Sequence, residues 1–381
     1  MTEAPSVAET LKAVGATVFE RGWLSANNTL IRGEGPTALV DSGYGSHASQ
    51  TLALVTGELA ETPLDVLLNT HLHSDHCGGN AALQHRYPQL MTLIPPGQAD
   101  SVANWDPVAL TYTPTGQQCP PFRHQGLLLP GQELRLGSWS WQIHGAKGHD
   151  PHSIILFQPD HRVLISADAL WQNGFGVVFP ELEGLSAFEE VGETLDLIES
   201  LKPQSVIPGH GSVFQDVGPA IIRARSRLAQ FTHSPEKHHR HAVKVLIKFR
   251  LLEWQTIECD ELLIWARHTP YLCNSMPSDS DQEQKEWLHG LLAELERSNA
   301  DLSAGQAENL NNIARARSQA TEIKLRILQR QAPAITGGDI AHDRQPQSTA
   351  ALALIQAYTT LCDLGQRIRR QARAVITHFD A

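Results

Sequence analysis

The chain has 381 residues, of which 41% are hydrophobic and 19% charged, and its formal net charge is -11 at neutral pH. This length and apolar content are enough to bury the core of one large domain and of a smaller one. The negative charge disfavours a general nucleic-acid binder, because such proteins carry clustered lysine and arginine.

The cysteines and the start of the chain favour a cytoplasmic protein. The five cysteines are scattered and form no CxxC pair, so the sequence predicts neither a disulfide framework nor a thiolate zinc site. Residues 1–15 lack the basic segment and the apolar stretch of a signal peptide. No stretch approaches the roughly 18 apolar residues of a membrane span, so we expect no membrane partner.

Short β-rich runs separated by turn residues dominate the chain from residue 16 onward. The first three runs predict a meander at the edge of a sheet. Helix-forming segments interrupt the runs at 46–57 and 187–200. Strands interleaved with helices on both sides favour an α+β fold, an αββα sandwich. The predicted strands are 17–19, 28–32, 37–40, 64–68, 132–136, 140–144, 153–158, 162–166 and 205–207.

After about residue 218 the β-branched runs give way to helix formers, which predicts an all-helical C-terminal region. The chain thus divides into a sandwich domain, 1–218, a helical or winged-helix-like appendage, 219–276, and long C-terminal helices, 277–381. The predicted elements of the C-terminal region are helices at 219–231, 236–253 and 260–268, a polar joint at 277–285, and long helices at 283–331 and 349–379 flanking the segment 332–348.

A cluster of metal-binding side chains follows the apolar run 64–68. The segment 70–76 reads Thr-His-Leu-His-Ser-Asp-His and places three imidazoles and one carboxylate within six residues. Neutral imidazole and carboxylate suit Zn²⁺, Fe or Mn²⁺. A polar turn rich in histidine by chance is the alternative in a chain with 19 histidines. Three further candidate ligands at predicted strand ends argue against chance, namely His149, Asp168 and His210.

Together these segments resemble the metallo-β-lactamase superfamily over about residues 15–215. The family pattern is HxHxDH, then a histidine preceded by glycine, a bridging aspartate, and a histidine in a GHG context. The resemblance implies an αββα fold and two divalent metal ions, zinc in the first place with iron or manganese as alternatives. It implies one metal held by His71, His73 and His149, a second held by Asp75, His76 and His210, and Asp168 bridging the two.

The resemblance also implies the mechanism of a dinuclear hydrolase. Two cations a few ångströms apart lower the pKa of a shared water, and the resulting bridging hydroxide attacks a carbonyl or phosphoryl centre. Asp75 is expected to be both a metal ligand and the catalytic residue that orients the nucleophile and accepts its proton. Asp41, in the segment Leu-Val-Asp-Ser-Gly, matches an early family aspartate that supports the ligands or pins a turn.

The family has many activities, and two features of the sequence narrow the activity expected for this chain. Zinc β-lactamases do not place a bridging aspartate at the position of Asp168, so antibiotic hydrolysis is disfavoured. The run Asp-His-Cys-Gly-Gly-Asn at 75–80 resembles the DHxGGN of glyoxalase-II-like thioesterases and of quorum-quenching lactonases. We therefore expect a small-molecule ester, thioester or lactone as substrate. The cluster of C-terminal basic residues typical of glutathione binding is not evident.

Two other functions stay open at this point. The segment 236–250 holds five Lys/Arg and one Glu, and the appendage resembles the unit that follows the catalytic domain in β-lactamase-like endoribonucleases. This basic segment would contact an RNA backbone or form a solvated helix face. Alternatively, hydrolysis is secondary and the long helices mediate assembly with a partner or a second copy, because Leu288, Leu291, Leu292 and Leu295 recur at helical spacing.

One further segment and several single residues have expected positions or roles. The segment 170–180 after Asp168 would wall an apolar pocket or pack in the core. Cys77 would be a small buried thiol or a redox-sensitive group. His152 is expected to lie behind the metal ligands. Trp254 and Trp265 are expected to pack the appendage onto the sandwich domain.

Overall fold

The computed structural model describes residues 5–277 and 280–302. The strands are β1 Ala16–Phe19, β2 Asn28–Ile31, β3 Ala38–Val40, β4 Val66–Leu68, β5 Met91–Ile94, β6 Gly126–Leu127, β7 Glu133–Leu136, β8 Trp139–Gly145, β9 Ile154–Gln158, β10 Val163–Ala167 and β11 Ser205–Pro208. The helices are α1 Val7–Ala13, α2 Ala48–Leu59, α3 Ser74–Cys77, α4 Asn80–Arg86, α5 Ala99–Asn104, α6 Tyr112–Thr115, α7 Phe188–Leu201, α8 Val217–His233, α9 Pro235–Trp254, α10 Cys259–His268, α11 Pro270–Cys273 and α12 Asp281–Leu302.

The strands form two sheets. The first has the order β1-β2-β3-β4-β5-β6; β1 to β3 pair antiparallel, as the predicted meander requires, and β3 to β6 pair parallel. The second has the order β11-β10-β9-β8-β7, and only β10 and β11 pair parallel. In this second sheet β8, β10 and β11 therefore run in the same direction, and their carboxyl ends lie at the same edge.

Three apolar layers hold the sandwich together, because alternate side chains of a strand face opposite sides of its sheet. One layer lies between the two sheets, a second packs α2 and α4 on the outer face of the first sheet, and a third packs α7 and α8 on the second sheet. The αββα prediction is confirmed. Fully buried members of the three layers include Leu68 and Trp141, Leu39 and Val55, and Leu164 and Leu195, respectively.

Helices α9 to α12 share a separate apolar core. Helix α9 also packs onto the sandwich, where its Phe249 and Leu252 join Leu24 and Tyr44. Within residues 5–277 and 280–302 no strand follows β11, so the C-terminal region up to Leu302 is helical as predicted and shows no wing hairpin. None of the helices in these ranges is long and apolar enough to cross a bilayer.

The bounds of the predicted elements differ from the structure by one or two residues. The largest correction concerns the polar joint 277–285, because α12 begins at Asp281 and includes its second half. Asp281 lies in the first turn of α12 and pairs with Arg267 and Lys285, so acidic residues that look like a linker stabilise a helix start. Strands β5 and β6 were missed. The predicted helix 349–379 and the part of 283–331 beyond residue 302 lie outside the described residues.

Candidate metal centre

The candidate ligands follow the carboxyl ends of strands in both sheets. His71, His73, Asp75 and His76 lie in the turn after β4 and in the short helix α3, His149 follows β8, Asp168 follows β10 and His210 follows β11. All seven side chains are buried. The structure gathers them into two groups, one of three histidines and one of two histidines and two aspartates.

The first group is formed by His71, His73 and His149. Nδ1 of His73 lies 3.0 Å from Nε2 of His71 and 2.9 Å from Nε2 of His149, and these two Nε2 atoms are 3.2 Å apart. Nitrogen ligands at about 2.0–2.1 Å from a tetrahedral metal lie at roughly such distances from one another. Three ring nitrogens that converge on one point therefore have the arrangement of a metal-binding face.

The second group is formed by Asp75, His76, Asp168 and His210. Oδ2 of Asp75 lies 3.1 Å from Nε2 of His210 and 3.7 Å from Nε2 of His76. Oδ2 of Asp168 lies 3.5 Å from Nε2 of His76 and 3.8 Å from Nε2 of His210. The same Asp168 oxygen is 3.4 Å from Nε2 of His149 in the first group. One carboxylate oxygen thus faces both groups, as a bridging ligand does.

Hydrogen bonds on the far side of the rings aim their free nitrogens into the site. Nδ1 of His76 lies 2.8 Å from Asp41, and Nδ1 of His149 lies 2.5 Å from the carbonyl oxygen of Val177. Asp41 also accepts from the backbone N–H and the hydroxyl of Thr70. Such contacts select the ring tautomer and orient metal-binding histidines. Asp41 therefore takes the supporting position that the sequence suggested.

A glycine in the second sheet leaves room for the bridging carboxylate. A Cβ atom added to Gly209 would lie 2.1 Å from Oδ1 of Asp168. The backbone N–H of Gly209 also donates to the carbonyl oxygen of Ala167. Any side chain at 209 would push Asp168 away, which explains why the GHG segment begins with glycine.

Burial favours neutral imidazoles in the first group, and contacts with the histidines favour an ionised carboxylate at Asp168. Burial lowers the pKa of His71, of His149 and of His73, the last to about 4. For Asp168, burial acts to raise the pKa, but the neighbouring His76 and other histidines outweigh it and hold the pKa well below its ordinary value. Metals bind deprotonated carboxylate and neutral imidazole, so these protonation preferences suit a cation.

The pKa of His76 is raised, in contrast to that of the three histidines of the first group. Burial acts to lower it, but Asp41, Asp168 and Asp75 outweigh burial and raise the pKa of this imidazole well above its ordinary value. Three carboxylates around one ring make this part of the site negative when no cation is present. A divalent cation would neutralise that excess charge.

Aromatic side chains wall the site. The ring of Trp23 stacks on His210 with centroids 5.4 Å apart and planes 12° apart, and Trp171 meets the same ring edge-on. Trp171 also donates from Nε1 to Asp168, and Phe179 packs against His73 with centroids 4.7 Å apart. The segment 170–180 thus has both expected roles, because Trp171 and Phe179 wall the site whereas Leu170, Phe175 and Val178 pack in the core. Trp23 was not predicted because it is far upstream in the chain.

Other singled-out residues lie around the site. His152 belongs to neither group, but its neighbour Asp150, which sequence reasoning missed, has Oδ2 3.7 Å from Nε2 of His73. Cys77 is fully buried and its Sγ lies 3.8 Å from that of Cys119. Trp254 and Trp265 each stack on Arg250 of α9, with its guanidinium 4.5 Å from the ring centroid. Trp254 is 43% exposed, whereas Trp265 is partly buried against the core of the helical region.

Comparison with known proteins identifies a family that this chain resembles. The sequence profile of the metallo-beta-lactamase superfamily matches residues 21–210, a span that contains both groups of candidate ligands. The acyl-coenzyme A thioesterase MBLAC2 of Gallus gallus is 25% identical over 226 residues, which cover 53% of this chain and 80% of that protein. A hydroxyacylglutathione hydrolase of Xanthomonas euvesicatoria pv. vesicatoria is 28% identical over 199 residues, 52% of this chain and 62% of that protein.

The chain is also similar to solved structures. A metallo-beta-lactamase family protein from Thermus thermophilus is similar with a TM-score of 0.46 and 18% sequence identity. The similarity covers 72% of this chain and 93% of that one.

Proposed function

This chain belongs to the metallo-beta-lactamase superfamily and is a metal-dependent hydrolase; within that class we propose that it hydrolyses small-molecule acyl thioesters at a dinuclear metal site. The observation that carries the proposal is the pair of buried ligand groups joined by Asp168. Esters and lactones present the same acyl carbonyl and belong to the proposed substrate range. We propose Asp75 as the catalytic residue.

The side chains at the site fit two divalent cations. Nε2 of His76 is buried without a hydrogen-bond partner within the described residues. A buried polar atom without a partner costs free energy, and for His76 the unpartnered atom is the one aimed between Asp75 and Asp168. Imidazole and carboxylate oxygen suit zinc, which we propose as the resident metal, and are compatible with iron and manganese.

The roles of the residues follow from their positions. Divalent cations bound at the two groups supply Lewis acidity, which activates water and polarises the acyl carbonyl. Burial acts to raise the pKa of Asp75, but His76 and His210 outweigh it, so the carboxylate stays ionised. We propose that the ionised Asp75 orients the attacking water and accepts its proton. Trp23 and Trp171 exclude bulk water from the side of His210.

The choice of a thioester is supported by the similar proteins. One is named for acyl-coenzyme A and another for hydroxyacylglutathione, and both names denote hydrolysis of an acyl compound. The segment 75–80 that resembles thioesterases lies within the matched span. We also propose a cytoplasmic location, because Cys77 and Cys119 face each other as free thiols and a reducing compartment preserves such pairs.

The RNA-binding alternative has less support, because most cations of the basic segment are already engaged. Arg240 and Lys244 on α9 both pair with Glu294 of α12. Arg250 pairs with Glu253 and stacks on two tryptophans. A phosphate backbone would have to compete with these contacts.

The experiment combines metal analysis with a substrate panel. Purified protein is assayed for bound zinc, iron and manganese, and for hydrolysis of thioesters, esters, lactones, a cephalosporin and a single-stranded RNA. The expected result is about two metal equivalents and thioester turnover that Asp75→Ala abolishes. The matched control is Asp100→Ala, because Asp100 is an exposed carboxylate that belongs to neither ligand group. RNA cleavage without acyl hydrolysis would overturn the proposal in favour of the nuclease.

A further inference from the structure

A lysine of the helical region lies next to the metal centre without an anionic partner. Nζ of Lys248, on α9, is 4.0 Å from the ring centroid of Trp23. Trp23 in turn stacks on His210, so the ammonium group and a candidate metal ligand contact the same indole ring. Within residues 5–277 and 280–302, Lys248 makes no hydrogen bond or ion pair, and its contact with Trp23 is a cation–π contact.

Other cations of α9 show how unusual this lysine is. Lys244, one turn earlier, pairs with Glu294 at 3.1 Å, and Arg250, two residues later, pairs with Glu253 at 2.8 Å. Lys248 is partly buried, and this burial lowers its pKa to about 8. Removing an ammonium group from water is unfavourable unless an anion compensates. The described fold supplies that anion to its neighbours but not to Lys248.

We propose that Lys248 binds an anionic group of the substrate, a carboxylate or a phosphate on the acyl side or on the thiol side of the thioester. The inference rests on the proposed thioesterase function and narrows its substrates to anionic thioesters. An ammonium group offers three N–H donors to such an anion. Because Lys248 and His210 contact the same tryptophan ring, an anion bound at Lys248 lies beside the ligand groups. Lys248 is thus a specificity-determining residue that the helical region contributes.

The test compares charged thioesters with neutral analogues of the same shape. The first pair is S-succinyl-N-acetylcysteamine and its succinamide analogue, which differ in the charge on the acyl side. The second pair is S-acetyl-phosphopantetheine and S-acetyl-pantetheine, which differ on the thiol side. The metal-loaded wild type is compared with Lys248→Met, with Lys248→Arg, which keeps the charge, and with Lys244→Met as the matched control.

Lys248→Met should raise KM about tenfold or more for one charged thioester. Whether this is the succinyl thioester or the phosphopantetheine thioester shows whether the anion lies on the acyl side or on the thiol side of the substrate. The kcat of this variant and its KM for the neutral analogues should not change, because the contact involves a group that does not react. Lys248→Arg and Lys244→Met should behave as the wild type. Equal changes within each pair, or no change in either, would overturn the inference.

A binding measurement separates this inference from the proposed function. Succinate and phosphopantetheine are titrated calorimetrically into metal-free protein at pH 7. Binding of one of them by the wild type and by Lys244→Met, with loss in Lys248→Met, would support the anion site even if none of the four thioesters is hydrolysed. Binding that is equal in all three proteins, or absent from the wild type, would overturn it.

Discussion

The carboxylate of Asp41 lies 2.8 Å from Nδ1 of His76, and the same carboxylate accepts two hydrogen bonds from Thr70. Asp41 has a positive φ of 60°, a backbone conformation that costs free energy outside glycine. The turn after β3 is therefore held in an unfavourable backbone conformation that points this carboxylate at Nδ1 of the candidate ligand His76.

Asp41→Asn should weaken metal binding about 10- to 100-fold, the usual range for a partner of a ligating histidine. The amide keeps the shape of the carboxylate but loses the negative charge that orients and polarises the ring of His76. Competition with a chromophoric zinc chelator measures the affinity. The control Asp100→Asn should leave it unchanged. An unchanged affinity in Asp41→Asn would show that Asp41 only shapes the turn.

Gly209→Ala should displace Asp168, because the added Cβ would lie 2.1 Å from its Oδ1 atom. Loss of the carboxylate that faces both groups should lower the metal content from about two equivalents toward one, measured by elemental analysis of dialysed protein. In the control Gly218→Ala, nothing lies within 4 Å of the added Cβ at the start of α8. That variant should keep both metals, and full occupancy in Gly209→Ala would contradict the bridging position of Asp168.

Much of the catalytic half was predictable because its signals are local. The ligand turn at 70–76 follows an apolar run, and the αββα layers follow from short β-rich runs interleaved with helix formers. Strand β6 has only two residues, and β5 has Met91 exposed, so neither shows the periodicity that identifies a strand.

Contacts between distant segments were not predictable. Trp23 and Lys248 lie near the candidate ligands only because the fold brings separate segments together. Asp150 follows His149 in the sequence, but its proximity to His73 likewise depends on the fold. None of these residues stands in a pattern that would distinguish it from an ordinary core or surface residue. The candidate ligands in the turn at 70–76 follow a recognisable sequence spacing. The side chains around the site follow no such spacing.

The buried His238 is expected to make the stability of the fold sensitive to acid. It is buried on α9 and accepts a hydrogen bond from the backbone N–H of Val178. Burial lowers its pKa to about 4, whereas an unfolded chain restores about 6.5. The unfolded state therefore binds the extra proton first, and the free energy of unfolding falls as the pH drops from about 6.5 toward 4.

His238→Gln should remove this contribution, because glutamine can accept the same hydrogen bond and does not titrate. Between pH 7.5 and pH 5 the wild type should lose about 1 to 2 kcal/mol more stability than the variant. Urea unfolding at the two pH values measures the difference. The control is His233→Gln, because His233 is exposed. Parallel pH dependences for His238→Gln and the wild type would contradict the assignment.

Metal removal should destabilise the sandwich, because the folded state alone assembles the two ligand groups. A ligand that binds only the folded state stabilises it by about 2.7 kcal/mol at a concentration one hundred times its Kd. Chelation should therefore lower the melting temperature by several degrees, and added Zn²⁺ should restore it.

His149→Ala should weaken both effects, since Nε2 of His149 faces His73 and Asp168. The control His144→Ala alters a partly exposed histidine on β8 that belongs to neither ligand group, and it should leave the zinc response intact. Equal melting temperatures with and without metal would show that the ligand groups do not hold a cation tightly.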